Sequence, residues 1–305
     1  LAATWNEKLA YEYGQSLGRD CRARGIHIIL GPAVNIHRAP MCGRNFEYMG
    51  EDPYLTARTT VGYIKGVQSQ KVMATVKHFL ANNSDYDRAR ISNDIDERTA
   101  HEIYFPAFKA AVQEAEVGAV MTSYNLVNGI YTNENPWLLK DVLRKTWGFN
   151  GMVVSDWSAA QYSIPTCNAG MDLEMPGAEK NKPQEIAYYL RTGYVTMDTI
   201  NERIRHILRV IIGFGFLDAQ QQDKNIPLDN PASVETALKV ANEAIVLLKN
   251  EKNILPVNPK KYKKIAVVGK NANGYVCGGG SGSVNPFSYV SAFEGIRKAA
   301  EKYGI

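Results

Sequence analysis

The run Val153-Val154-Ser155-Asp156-Trp157 sets an acidic side chain at the end of a short apolar stretch, with an indole directly after it. A carboxylate in that position can attack the anomeric carbon of a sugar, and the indole offers an apolar face for the sugar's C–H surface. The competing reading makes Asp156 the cap of the next helix and Trp157 part of the core. Lys77-His78 ends another apolar run. Both side chains can donate to hydroxyl groups, and a lysine charge close to a carboxylate keeps it ionised. The alternative is a surface lysine beside a core histidine. Arg44, in Gly43-Arg44-Asn45-Phe46-Glu47, could bind hydroxyls or orient Asp156, whereas Asp52-Pro53 reads as a capped helix start. Tyr124-Asn125 brings a phenol to a third strand end. It could hydrogen-bond to a nucleophilic carboxylate, or be a half-buried aromatic with a wet hydroxyl.

The elements that must position these groups alternate in type. Helical spacing covers 5–24, 53–70, 97–116 (with Asp96 as cap), 136–146 and 197–213. Short β-rich runs cover 26–30, 72–76, 118–122 and 152–155, and a further piece ends near Asp172-Leu173-Glu174. Such alternation implies a parallel sheet covered by helices. Lys77, His78, Tyr124, Asp156 and Glu174 all fall at or just past strand C-termini. That favours a (β/α)8 barrel, where those ends share one mouth, over an open doubly wound sheet. The expected organisation is therefore α/β. A TIM-like barrel spans 1–217. A polar linker follows at 218–230, and 231–305 forms the first part of a second α/β domain. In that second part a helix is expected at 232–248, a buried strand at 265–269, a glycine-rich loop at 278–282 and a helix near 291–302.

Other chemistries find little support. The net charge of +4 is small for 305 residues and argues against nucleic acid. No apolar run approaches the length of a membrane span. Cys21, Cys42, Cys167 and Cys277 show no metal-ligand spacing, and the histidines form no ligand pair. The glycine run Gly278-Gly279-Gly280-Ser281-Gly282 lacks the Gly-Lys-Ser/Thr of a phosphate loop. No cofactor and no metal are called for. Compartment and oligomeric state stay open.

Taken together and in order, the motifs resemble glycoside hydrolase family 3, in particular its β-glucosidases. The resemblance is carried by Gly31-Pro32-Ala33-Val34-Asn35-Ile36-His37-Arg38, Gly43-Arg44-Asn45-Phe46-Glu47-Tyr48, Val76-Lys77-His78-Phe79, Met121-Thr122-Ser123-Tyr124-Asn125 and Val153-Val154-Ser155-Asp156-Trp157. Ala169-Gly170-Met171-Asp172-Leu173-Glu174-Met175-Pro176-Gly177 and Leu247-Leu248-Lys249-Asn250 continue it. The resemblance implies a retaining, exo-acting enzyme that removes terminal β-D-glucose from β-linked glucosides. Asp156 matches its nucleophile. Arg44, Lys77, His78, Tyr124 and Trp157 match positions that hold the sugar. It also implies that the barrel is incomplete at its N-terminus, beginning before Leu1, that 231–305 is the first part of an α/β sandwich domain, and that the acid/base is a glutamate beyond Ile305; Glu294 is not assigned that role, and a periplasmic or secreted setting would suit such an enzyme. The loop Phe79-Leu80-Ala81-Asn82 departs from the KHFPGHG of members acting on N-acetylhexosamines. β-Xylosidase or arabinosidase activity is the nearest alternative, and a non-catalytic sugar-binding fragment is an alternative of another class.

Overall fold

The computed structural model describes residues 1–305, in two compact units, Leu1–Ala244 and Ile245–Ile305. In the first unit, helix α1 (Glu7–Arg24) begins where the Asn6 side chain accepts from the N–H of Leu9, and it ends at Gly25 in the left-handed region. Strand β1 is short (Ile28–Ile29). Helix α2 (Pro53–Gln68) opens as expected, with the Asp52 carboxylate accepting from Leu55 N–H and a proline in the first turn. It lies tightly against α1. A methyl group at Gly66 would overlap the carbonyl oxygen of Tyr11, and one at Gly14 that of Tyr63.

Strand β2 (Met73–Phe79) is buried along its length except at Lys77. After β3 (Ser92–Asn93) comes the expected helix 97–116, which is split. A short α3 (Glu97–Thr99) passes into a π-helical turn at Ala100–Tyr104, and α4 (Pro106–Gln113) starts afresh. Pro106 has no N–H to continue the earlier ladder, and the Phe105 N–H reaches back to Ala100 instead. Strand β4 (Ala119–Thr122) leads into a tight hairpin of β5 (Leu126–Val127) and β6 (Ile130–Tyr131). Its two turn residues, Asn128 and Gly129, both have positive φ, as a two-residue hairpin loop requires. A π-helical segment, Trp137–Thr146, stands where a helix is expected, ahead of β7 (Met152–Val154). Helices α5 (Ser163–Ala169), α6 (Pro183–Thr192), α7 (Met197–Gly213) and α8 (Pro231–Ala244) complete the unit.

The main sheet is parallel in the order β1-β2-β4-β7, and a bridge from Val154 to Leu173 extends it. Strand order follows chain order without the reversal of a doubly wound sheet, so the strands form an arc of a (β/α)8-type barrel. Alternation along the strands separates two buried faces. Ala74, Val76, Val120 and Val153 pack towards the helices in a core that also holds Ile64, Phe79, Phe108 and Leu143. Met73, Met121, Met152 and Val154 form the opposite face, closed by Ile207, Val210, Phe214 and Phe216.

Two expectations about the later chain need correction. The segment 218–230 is not a free linker. Gln221 is buried and donates to the carbonyls of Ile26 and Lys71, while Arg22 donates to the Gln221 carbonyl. Helix α8 then packs with the first unit, joined to α1 through Ser233–Asp20 and Asn6–Glu243 hydrogen bonds. In the second unit no strand forms at 265–269, and Val268 is 88% exposed. A strand exists only as a pairing, and Ile245–Ile305 contains no partner strand. Its regular elements are two 3-10 turns and α9 (Ala292–Glu301), capped by Ser291.

Candidate active site

The C-terminal ends of β2, β4 and β7, together with the loop after β1, carry the candidate residues. Lys77 and His78 lie near the C-terminal end of strand β2, and the Lys77–His78 and Phe79–Leu80 peptide bonds are cis. Asn35, from the loop after β1, clamps the His78 backbone. Its Oδ1 accepts from His78 N–H at 2.9 Å, and its Nδ2 donates to the His78 carbonyl at 2.9 Å. Arg44 precedes a 3-10 turn (Asn45–Glu47) in the same long loop. Its guanidinium branches three ways. Nε donates to Glu47 at 2.5 Å, one terminal nitrogen lies 2.8 Å from His78 Nε2, and the other is 3.7 Å from Asp156 Oδ2.

That arrangement fixes the histidine tautomer. A guanidinium only donates, so His78 Nε2 must accept, and Nδ1 carries the proton towards Asn35 Oδ1 at 3.3 Å. Burial, then the charges of Arg44, Lys77 and Arg88, hold the imidazole well below the usual histidine range. It is therefore neutral at physiological pH. Its Nε2 sits 3.5 Å from Asp156 Oδ2 but has no proton to give it.

Asp156 follows β7 and is 7% exposed. Its Oδ1 accepts from the Trp157 N–H at 2.8 Å, whereas Oδ2 is buried without a hydrogen-bond partner. The surrounding loop is held independently. Ser155 Oγ accepts from Met175 N–H, Ser158 N–H donates to the Met175 carbonyl, and Glu134 Oε1 accepts from the N–H groups of Gln161 and Tyr162. One oxygen of Asp156 is thus fixed and the other keeps its lone pairs, next to a permanent cation. Such a carboxylate is suited to attack an electrophilic carbon.

Lys77 lies 3.5 Å from Glu47 Oε2, so Glu47 joins Lys77 and Arg44. Burial lowers the Lys77 ammonium from its usual range, against the pull of Glu47. Tyr124, past β4, has the Arg88 guanidinium over its ring at 4.3 Å. Burial first, and then the charge of Asp156, pushes its phenol up to about 12, so the hydroxyl keeps its proton. The loop bearing Arg88 is fastened at its far end, where Asn128 Oδ1 accepts from Ile95 N–H and Asn93 Nδ2 donates to the Ala81 carbonyl. Trp157 gives its backbone N–H to Asp156 and is 40% exposed as a residue.

Arg44, Lys77, His78 and Asp156 are therefore brought into one cluster, with Tyr124 and Trp157 at its border. Glu174, also expected at a strand end, is engaged elsewhere. Its carboxylate accepts from the N–H groups of Lys180 and Asn181 and from the Asn181 side chain. Reading the sequence missed Glu47, Asn35 and Arg88 as members of the site. The i,i+3 spacing of Arg44 and Glu47 was the available signal for the first; nothing local marked the other two.

The first 210 residues match the family model for the glycosyl hydrolase family 3 N terminal domain, and residues 245–303 match that for its C-terminal domain. The chain is 45% identical over 300 residues to a β-glucosidase of Rhizobium radiobacter, covering 98% of this chain and 37% of that protein. It is 40% identical to thermostable β-glucosidase B of Acetivibrio thermocellus, covering 98% of this chain and 39% of that protein. It thus spans well under half the length of these relatives. Among solved structures, it resembles β-glucosidase 3B from Thermotoga neapolitana in complex with α-D-glucose, with a TM-score of 0.86 and 35% identity over 99% of this chain and 44% of that one. It also resembles a β-glucosidase from Kluyveromyces marxianus, with a TM-score of 0.91 and 32% identity over 98% of this chain and 38% of that one.

Proposed function

The chain belongs to glycosyl hydrolase family 3, and on that premise we propose that, within a longer protein, it supplies the nucleophile and sugar-holding wall of a retaining, exo-acting β-glucosidase. The observation that carries this reading is the buried, unpartnered Oδ2 of Asp156 beside the Arg44 guanidinium. In the first step Oδ2 attacks the anomeric carbon while the glycosidic oxygen is protonated and leaves. Water then attacks the same carbon, and terminal glucose departs with its β configuration retained. Arg44, Lys77 and Tyr124 donate to the sugar hydroxyls, neutral His78 holds the Arg44 guanidinium in place by accepting from it, and the Trp157 indole covers an apolar sugar face. Glucose as the sugar is supported by the relatives' names and by the glucose held in the Thermotoga neapolitana structure.

None of the nearby carboxylates is suited to protonate the leaving group. Glu47 is engaged by Arg44 and Lys77, and Glu134 and Glu174 by backbone N–H groups. We assign that role to a glutamate outside these 305 residues. The test is Asp156→Asn in the longer enzyme, assayed on p-nitrophenyl β-glucoside and β-xyloside. We expect the glucoside rate to fall on the order of 10⁴-fold. Near-normal hydrolysis by the variant would refute the nucleophile, and a wild-type preference for the xyloside would refute glucose.

A further inference from the structure

At the other end of β7 lies a second cavity, of about 390 Å³, between the Trp137–Thr146 helix, the turn after α5, and α7. Arg144 marks its position. It donates to the carbonyls of Phe149 and Gly151, which lead into β7, whereas Asp156 follows the strand's exit. The cavity is separate from the cluster around Asp156, and the proposed glycosidase chemistry makes no use of it.

Its charges do not cancel. Asp172 is saturated by Arg144 at 2.6 Å, Val153 N–H at 2.7 Å and His206 at 2.8 Å. Lys140, Lys145 and Arg203 also line the cavity, and none of them forms an ion pair, although Arg203 donates from Nε to the Asp172 carbonyl and from one terminal nitrogen to Cys167 Sγ, which leaves its other terminal nitrogen for a ligand. Glu202 is the one other carboxylate in the lining. Three unpaired cations against one carboxylate leave an excess of two positive charges, the complement of a phosphate dianion. Arg144 Nε is in addition buried without an acceptor. The stem of Lys140 runs along Gly170, whose φ of +101° and missing side chain keep the floor of the cavity low. The volume falls in the range of small-molecule sites and exceeds the needs of a bare ion.

We propose that this cavity binds a phosphate group, free or carried on a sugar-sized phosphomonoester, through Lys140, Lys145 and Arg203. The test is calorimetric titration of the chain with inorganic phosphate, with glucose 6-phosphate and with glucose, at constant ionic strength. Saturable binding of either phosphate compound in the millimolar range or below is expected, with none for glucose in this cavity. Tighter binding of the ester identifies a phosphorylated metabolite, and equal binding identifies the phosphate group alone. The Lys140→Glu/Lys145→Glu double variant should weaken binding by about tenfold or more while leaving the circular dichroism spectrum unchanged. Lys145 is exposed at the end of its helix, so Lys145→Gln serves as the second variant if the double one unfolds. Failure of both phosphate compounds to bind, or binding insensitive to these substitutions, overturns the proposal.

Discussion

Acidification should weaken the fold through His78, and the size of the effect follows from what surrounds the ring. The imidazole is buried, accepts from Arg44 at Nε2 and faces Asn35 with Nδ1. A second ring proton would have to sit on Nε2, directly against the guanidinium that now donates to it. Burial and the charges of Arg44, Lys77 and Arg88 accordingly hold the folded-state pKa well below 6.5. In the unfolded chain the same ring protonates near the ordinary value of about 6.5. Between those two values the unfolded state binds one proton more than the folded state. The contribution of His78 is therefore fully present above about pH 6.5 and is lost as the pH falls. One proton is worth about 1.4 kcal/mol per pH unit, so stability falls with up to that slope as the pH drops below about 6.5 towards the folded-state value. Urea unfolding followed by circular dichroism, on the wild-type chain and on His78→Gln, isolates this term. Glutamine keeps an acceptor for Arg44 but does not titrate, and all other groups cancel in the difference. The stability advantage of wild type over variant should shrink with falling pH below about 6.5, by up to about 1.4 kcal/mol per pH unit. A difference that stays constant with pH would mean that the folded ring takes up its proton freely, and the neutral-tautomer argument would fail.

Three further outcomes are expected. Asp172→Asn leaves the buried Arg144 cation without its counter-charge and should destabilise the first unit by about 3–5 kcal/mol in urea titration; a loss under about 1 kcal/mol would contradict that role. Gly66→Ala drives a methyl into the Tyr11 carbonyl between α1 and α2, so a thermal melt should show about 1–3 kcal/mol of lost stability, and a neutral or stabilising result would mean the helices separate freely. In the longer enzyme, Glu47→Gln frees Lys77 and Arg44 from their shared carboxylate, and kcat/KM on an aryl β-glucoside should fall by about 10-fold to 100-fold; unchanged kinetics would remove Glu47 from the site.

Local pattern was a good guide wherever a side chain's place depends on its own element. Lys77 and His78 interrupt an apolar run, so the end of β2 was visible. Asp52-Pro53 announced α2, and Asn6 could have announced α1 in the same way. The split at Pro106 was missed by the reading of 97–116 as one helix, although proline lacks the N–H that a continuous helix would need. Long-range partnership was not legible. Glu174 stands at a strand end like Asp156, yet it turns to the backbone of Lys180 and Asn181, a pairing no periodicity encodes. Asn35 reaches His78 across 43 positions, and Arg88 meets Tyr124 through a loop fastened by Asn128. The apolar run at 265–269 had the composition of a buried strand, but composition does not supply the neighbour on which a strand depends.

The strand order of the main sheet has a consequence for how the pocket can change. Asn35 and Arg44 come from the loop after β1, Lys77 and His78 from β2, Tyr124 from the end of β4, and Asp156 and Trp157 from the end of β7. Each wall is thus encoded by its own short stretch of chain, seated on a sheet whose two faces are already packed. Grafting one loop from a related protein should alter a single wall and leave the others in register. On the function proposed above, sugar preference becomes a modular property that can be reassigned piece by piece without redesigning the scaffold.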